Sequence, residues 1–355
     1  MRVLFSNNYD MSRARAGYRA GTYPAHHLYG TAALGDGFEV VDLPMTGSRV
    51  WRALNGRTRY RFGDLEQQAA ALVRVRRGTV VFGAQGQQLA ALALLRKSRL
   101  LPVPIVGVIH AKPVRGAGAR AVVSGFDHVV AMSCVTRQSL IEGGVSASQI
   151  SVLSWGPDLG FPGFQAALGA PADRGVVATG KTGRDMPLLL DALGQTGLPG
   201  SVYGDRVKLE AEVAIPENVK IVPAVARDAS STSAFTYDHT ISDLQRASVV
   251  AIPLSERYPL HGLTELADAI ACGKPVIVTR APYFDFDIEE IGCGWWVDPG
   301  DRQRWRDVLA DAMSDPVRLA EMGRCGRRWA AENWNARLFA DGVREIFCRL
   351  TRSTA

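Results

Sequence analysis

From Gly262 to Thr279 the chain reads Gly-Leu-Thr-Glu-Leu-Ala-Asp-Ala-Ile-Ala-Cys-Gly-Lys-Pro-Val-Ile-Val-Thr. This is a glycine-led turn, a helix, a Gly-Lys-Pro break and a buried apolar strand. The start of such a helix leaves backbone N–H groups without intrahelical acceptors, and the helix dipole adds partial positive charge there. Gly262, Leu263 and Thr264 therefore offer an anion site. Asp268 follows within two turns, close enough to reach the hydroxyls of a ribose attached to that anion.

A second segment carries complementary chemistry. Ala178-Thr-Gly180-Lys181-Thr-Gly183-Arg184-Asp185 follows an apolar strand and leads into Leu188-Leu-Leu-Asp-Ala-Leu. Strand, glycine-broken loop with two cations, then helix is an arrangement that cradles phosphate. Arg184 brings a planar fork and Lys181 a point charge. The loop is not a Walker motif, because Lys181 lacks the upstream Gly-x-x-x-x-Gly.

Elements that position these segments repeat along the chain. Apolar runs alternate with helical patterns, which predicts parallel sheets with crossover helices and an α/β class. The first series of strands is Val3–Ser6, Glu39–Leu43, Thr79–Phe82, Ile105–Ile109, His128–Met132 and Ile150–Leu153. A second runs through Val176–Thr179, Ser201–Tyr203, Val219–Val222, Val249–Pro253, Pro275–Val278 and Trp295–Val297. The Gly/Pro/Ala-rich stretch from Gly156 to Pro171 reads as a linker. Two Rossmann-like domains are expected, 1–158 and 172–328, followed by a terminal helical segment, 329–355.

The Gly262 and Gly180 segments resemble the donor motifs of the retaining glycosyltransferases of GT-B fold. Leu244-Gln-Arg-Ala-Ser-Val-Val-Ala-Ile-Pro253-Leu254, Cys293-Gly-Trp-Trp-Val-Asp298-Pro299-Gly300-Asp301 and Ser154-Trp-Gly156-Pro-Asp158 resemble further motifs of that family. The resemblance covers roughly residues 125–340. It implies two Rossmann-like domains facing across a cleft, with the C-terminal helix crossing back to the N-terminal domain. It also implies a metal-independent enzyme without a cofactor, moving a sugar from a nucleoside-diphosphate sugar to an acceptor hydroxyl with retention. Lys181, Arg184 and the amides of Gly262, Leu263 and Thr264 would hold the diphosphate, and Asp268 the ribose.

Many members have two glutamates seven residues apart. Here Asp268 takes the second position and Leu260 the first, so Glu256, His261 or Glu265 is expected to contact the sugar instead. His110 ends an apolar strand, where members often have a histidine beside the transferred sugar, and is the catalytic candidate. Asn7 and Asn8 end the first strand and are candidates for an acceptor hydroxyl, with a turn role equally open. His26 and His27 are further acceptor candidates; adjacent side chains on a helix do not share a face, so only one of them is expected to serve.

Other features fit less well. Asp285-Phe-Asp287 imitates a metal-binding pair but falls between two late strands, and no metal is expected there. Arg49, Arg52, Arg57, Arg59 and Arg61, interleaved with Trp51, Tyr60 and Phe62, read first as a solvated loop. A loop over an acceptor, a membrane interface and a nucleic-acid stack are the other readings.

Composition narrows the partners. Hydrophobic residues make up 47% of the 355, yet no run approaches the ~20 a membrane span needs. Met1–Phe5 runs straight into a strand, so no signal peptide is expected. The five cysteines (134, 272, 293, 325 and 348) lack metal-site spacing and suit a reducing cytoplasm. Residues 1–160 carry 19 Lys+Arg against 9 Asp+Glu, a net of +10; the remainder carries 22 against 26, a net of −4. A basic first half suits an anionic acceptor (small molecule, glycan or lipid-linked) or peripheral contact with the inner membrane face. Nucleic acid is the disfavoured partner. Competing readings are a sugar-nucleotide epimerase or phosphorylase of the same fold, and a noncatalytic nucleotide- or nucleic-acid-binding protein.

Overall fold

A computed structural model describes residues 1–110, 116–180, 183–223, 234–255 and 261–352, with backbone alone for Arg59, Tyr60, Gly169 and 234–239. The chain divides into two compact units. The first comprises Met1–Tyr18, Ala25–Trp155 and the chain from Ala336; the second comprises Arg19–Pro24 and Gly156–Asn335.

In the first unit the order is β1 (Arg2–Ser6), α1 (Met11–Arg19), β2 (Glu39–Asp42), α2 (Arg49–Phe62), α3 (Leu65–Leu72), β3 (Thr79–Gly83), α4 (Ala90–Lys97), β4 (Ile105–Ile109), α5 (Gly116–Val123), β5 (His128–Ala131), α6 (Cys134–Glu142) and β6 (Ile150–Val152). Among the described residues these strands form one sheet, β2-β1-β3-β4-β5-β6, with every pairing parallel. Both faces are covered, so the inner strands are continuously apolar: Val80, Val81, Phe82, Ile105 and Val106 are fully buried.

The second unit continues with α7 (Pro162–Ala166), β7 (Val176–Ala178), α8 (Met186–Thr196), β8 (Gly200–Gly204), α9 (Arg206–Glu212), β9 (Val219–Pro223), α10 (Ala234–Gln245), β10 (Val249–Ile252), α11 (Leu263–Ala271), β11 (Val276–Thr279), β12 (Gly294–Val297), α12 (Arg302–Ser314) and α13 (Pro316–Asn333). Its sheet is β12-β11-β10-β7-β8-β9, again parallel throughout. The final helix, α14 (Ala336–Arg352), belongs to the first unit, where Phe347 meets Phe82 with ring centroids 5.2 Å apart.

Boundaries differ from the sequence reading in physical detail. The units divide at Trp155/Gly156 rather than after residue 158, and residues 156–171 are not a bare linker. Pro162 starts α7, which buries Phe164 against Phe161. The chain rejoins the first unit at Ala336, not 329, because α13 runs unbroken past Trp329. Trp329 and Trp334 both pack on Phe286, at 4.8 Å, and the Asn335 amide donates to the carbonyls of Ala330 and Ala331 to close the helix.

The arginine-rich stretch from Arg49 is a helix, α2, and not a loop. Ser48 Oγ accepts from Trp51 N–H at its start, and Gly63, at φ 77°, ends it. None of its described side chains is buried, so no apolar stripe marked it in the sequence. Among the described residues no helix is long and apolar enough to cross a membrane.

His26 and His27 sit in a 3-10 turn, Ala25–Leu28, and the expectation that they point apart does not hold. Their rings lie 4.2 Å apart and both face Trp155, whose Nε1 donates to the His26 carbonyl at 2.7 Å. Burial, then the neighbouring His27, holds the His26 imidazole well below its ordinary pKa; burial takes His27 down to about 3. Both are neutral in the folded chain at pH 7, whereas in the unfolded chain they take up protons near pH 6.5. Below that pH the unfolded state binds more protons, so His27 contributes a loss of stability of up to ~1.4 kcal/mol per pH unit as pH falls toward 3, and His26 acts in the same direction. In urea denaturation between pH 6.5 and 5, His27→Gln should flatten the decline. A slope equal to that of the parent chain would mean that His27 is charged in the folded state.

Candidate functional site

In the second sheet β7 lies between β10 and β8. The chain leaves β7 toward β8 and β9, and later strands fill the other side, so the loops after β7 and β10 diverge at their carboxyl ends. In parallel α/β sheets such a switch point is where ligands bind.

The two loops are tied together. Asp185 N–H donates to the Pro253 carbonyl at 2.9 Å and Ser255 N–H to Gly183 at 3.0 Å, around an isolated bridge between Arg184 and Leu254. Thr279 Oγ1, at the end of β11, accepts from Leu254 N–H at 2.9 Å. Asp185 then caps α8, accepting from Leu188 N–H at 3.1 Å.

Glu265, in the first turn of α11, reaches across to the β7 loop. Its Oε1 accepts from Thr179 N–H at 2.5 Å, Thr179 Oγ1 at 3.0 Å and Gly180 N–H at 2.7 Å. Its Oε2 accepts from Arg184 Nε at 3.1 Å and Nη2 at 2.8 Å. Both side chains are under a tenth exposed, 7% for Arg184 and 4% for Glu265. Gly180 makes room for this: a Cβ there would stand 2.0 Å from Arg184 Nε. A carboxylate expected at the sugar is thus committed, through both oxygens, to holding the loop and its arginine.

Gly262 caps α11 at φ 93° and supplies no side-chain hydrogen bond. A Cβ at this position would come within 2.9 Å of Ile252 and Leu254. By contrast, aspartates cap α3, α8, α9, α12 and α13 and a serine caps α6 through their side chains. Among the described residues no side chain caps the first amides of α11, which leaves them for another acceptor. Thr264 is exposed, and Leu263 and His261 are partly so. Asp268 lies one turn beyond Glu265 and is 3% exposed. Burial, then its charge, drives the Cys272 thiol pKa upward.

Lys181, Glu256 and Leu260 lie outside the described residues. Asp287 serves its own turn, with Oδ1 accepting from Trp296 Nε1 at 3.0 Å and Glu289 N–H at 2.8 Å. Among the described residues no cluster of His, Cys, Asp and Glu has the arrangement of a metal site.

In the first unit, His110 stands at the carboxyl end of β4. Its Nε2 is 2.9 Å from the Ala84 carbonyl, and Thr136 Oγ1 donates to its own carbonyl at 2.7 Å. Asn7 is 2% exposed and taken up locally. Its N–H donates to Gln67 Oε1, its carbonyl accepts from Gln67 Nε2, and its Oδ1 accepts from Asn8 N–H. Asn7 thus takes a structural role, while Asn8 contributes only its backbone N–H to this arrangement. Glu265 as a clamp was missed by sequence reasoning; the available signal was an acidic residue in the first turn of a helix whose N-terminus otherwise favours an anion.

No family model matches the chain. A 70-residue segment is 36% identical to a GDP-mannose-dependent alpha-(1-6)-phosphatidylinositol monomannoside mannosyltransferase of Mycolicibacterium smegmatis, over 20% of this chain and 18% of that protein. Similar solved structures extend over nearly the whole chain. HepE of Anabaena, in complex with UDP, is 16% identical with a TM-score of 0.64, covering 99% of this chain and 100% of that one. The sucrose-phosphate synthase of Thermosynechococcus elongatus is 15% identical with a TM-score of 0.68 over 99% of both. A glycosyltransferase from Rickettsia africae is 13% identical with a TM-score of 0.65 over 98% of both. With its two parallel six-stranded sheets, the chain has the GT-B glycosyltransferase fold.

Proposed function

We propose that the protein is a glycosyltransferase that takes a sugar from a nucleoside-diphosphate sugar, without a metal, and transfers it to an acceptor hydroxyl with retention. The observation that carries this reading is the convergence, at one switch point, of a helix start without a side-chain cap and an arginine held by a buried carboxylate. The diphosphate lies against the amides of Gly262, Leu263 and Thr264, with Arg184 and Lys181 as its cations. Asp268 takes the ribose hydroxyls. Two structures of similar fold support the donor class, HepE with UDP-glucose and HepE with UDP and glucose.

In this reading the bond from the anomeric carbon to the diphosphate oxygen breaks, and the negative charge develops at the positive end of the α11 dipole. The acceptor oxygen bonds to the anomeric carbon on the same face, and its proton passes to the departing diphosphate. Glu265 is a positioning residue that acts through Arg184. His110, at the carboxyl end of β4, is assigned to the transferred sugar. Asn8, His26, His27 and His261 remain secondary assignments for acceptor or sugar.

Glu265→Gln keeps the shape but leaves the Arg184 charge buried without its partner. Breaking a buried pair in this way costs about 3–5 kcal/mol. Urea denaturation should show a loss of this order, with weaker UDP or GDP binding in calorimetry. Parent-like values of both would remove the clamp from the account. Asp268→Asn should weaken ribonucleoside-diphosphate binding about tenfold, which is ~1.4 kcal/mol, and leave a 2′,3′-dideoxy analogue nearly unchanged. Equal losses for the two ligands would deny Asp268 the ribose.

A further inference from the structure

The second unit holds another cavity, at the opposite end of its sheet from the loops of Arg184 and Glu265. Ala247 and Ser248, just before β10, and Lys274 and Pro275, just before β11, line it, so it opens at the amino ends of these strands. Its volume is about 780 Å³, within the ~300–1,000 Å³ typical of small-molecule sites. One wall is apolar, formed by Leu168, Met313 and Leu319 with several alanines.

Charge is distributed one-sidedly. Lys274, Arg324, Arg327 and Arg328 line the cavity, and no acidic residue does so among the described residues. Lys274 is 8% exposed, and burial holds its ammonium below the ordinary lysine range. Among the described residues it forms no ion pair, and its Nζ no hydrogen bond, in contrast to Arg324, which is paired with Glu321. Arg327 is half-buried and donates to the carbonyls of Ala271 and Leu159, and among the described residues it too forms no ion pair. A buried cation without a counter-charge is costly and is ordinarily paired. No described carboxylate supplies that partner, so an anion entering the cavity can do so, and the apolar wall sets what else it carries.

We propose that this cavity binds an amphipathic anion. A carboxylate or phosphate head group would pair with Lys274 beside Arg327, and an alkyl chain would lie against Leu168, Met313 and Leu319. The site is separate from the switch-point crevice and does not depend on the chemistry proposed there.

Calorimetry on the full chain below micellar concentrations tests this, with dodecanoate and dodecyl phosphate as probes and dodecanol and inorganic phosphate as controls. At least one of the two amphiphiles should bind at one per chain, and which one binds better identifies the head group. Dodecanol and inorganic phosphate should each bind at least tenfold more weakly. Lys274→Met, which replaces the ammonium by an apolar chain of similar length, should weaken the binding amphiphile at least tenfold. Leu168→Glu, a change at a half-exposed position, adds a repelling charge and should do the same should Lys274→Met fail to fold. The proposal is overturned if neither amphiphile binds, if dodecanol or inorganic phosphate matches them, or if the folded variants bind as the parent does.

Discussion

The candidate site depends on one carboxylate. Glu265 accepts five hydrogen bonds from three residues of the loop after β7. A buried carboxylate is tolerated only when its charge is paired and its lone pairs are filled, and here both conditions are met. The interaction joins segments 81 to 86 residues apart in sequence. It orients the Arg184 guanidinium and turns the Thr179 and Gly180 amides inward onto the same group. It adds a side-chain tie to the backbone bonds that already join the β7 loop to the loop after β10.

Topology supplies the remainder. Parallel strands deliver their loops to one end, and the order β10-β7-β8 parts two of those loops. Helix capping then divides the labour. Aspartates and a serine cap six helices, while Gly262, pressed on Ile252 and Leu254, leaves the amides of α11 without a side-chain cap among the described residues. A side chain at that position would both clash and strain a backbone held at positive φ. Glycine is thus required by packing, and the uncapped amides follow from it.

Much of this was legible in the sequence, for identifiable reasons. Strands of a sheet covered on both faces are unbroken apolar runs, so Val249–Ile252 and Val276–Thr279 stand out. Helix starts at Asp301 and Asp315-Pro316 carry their own signals. Helix α2 did not stand out, because a helix without a buried face has no apolar period. The histidine pair was misread because both rings turn onto Trp155, a partner far along the chain that only the fold supplies. The return to the first unit was set seven residues early, since Trp329 and Trp334 gain their meaning only from Phe286. Glu265 read as a sugar contact, and only the sheet order brings Arg184 to it.

Calorimetric titration of the full chain with UDP and GDP, without divalent metal and again with magnesium, tests the central claim most directly. The account predicts one site per chain for at least one of the two, with an affinity that magnesium leaves unchanged and that Arg184→Ala weakens by about 1.5–3 kcal/mol, the range for hydrogen bonds to a charged group. Absence of binding by both nucleotides, or binding that appears only with magnesium, would contradict it.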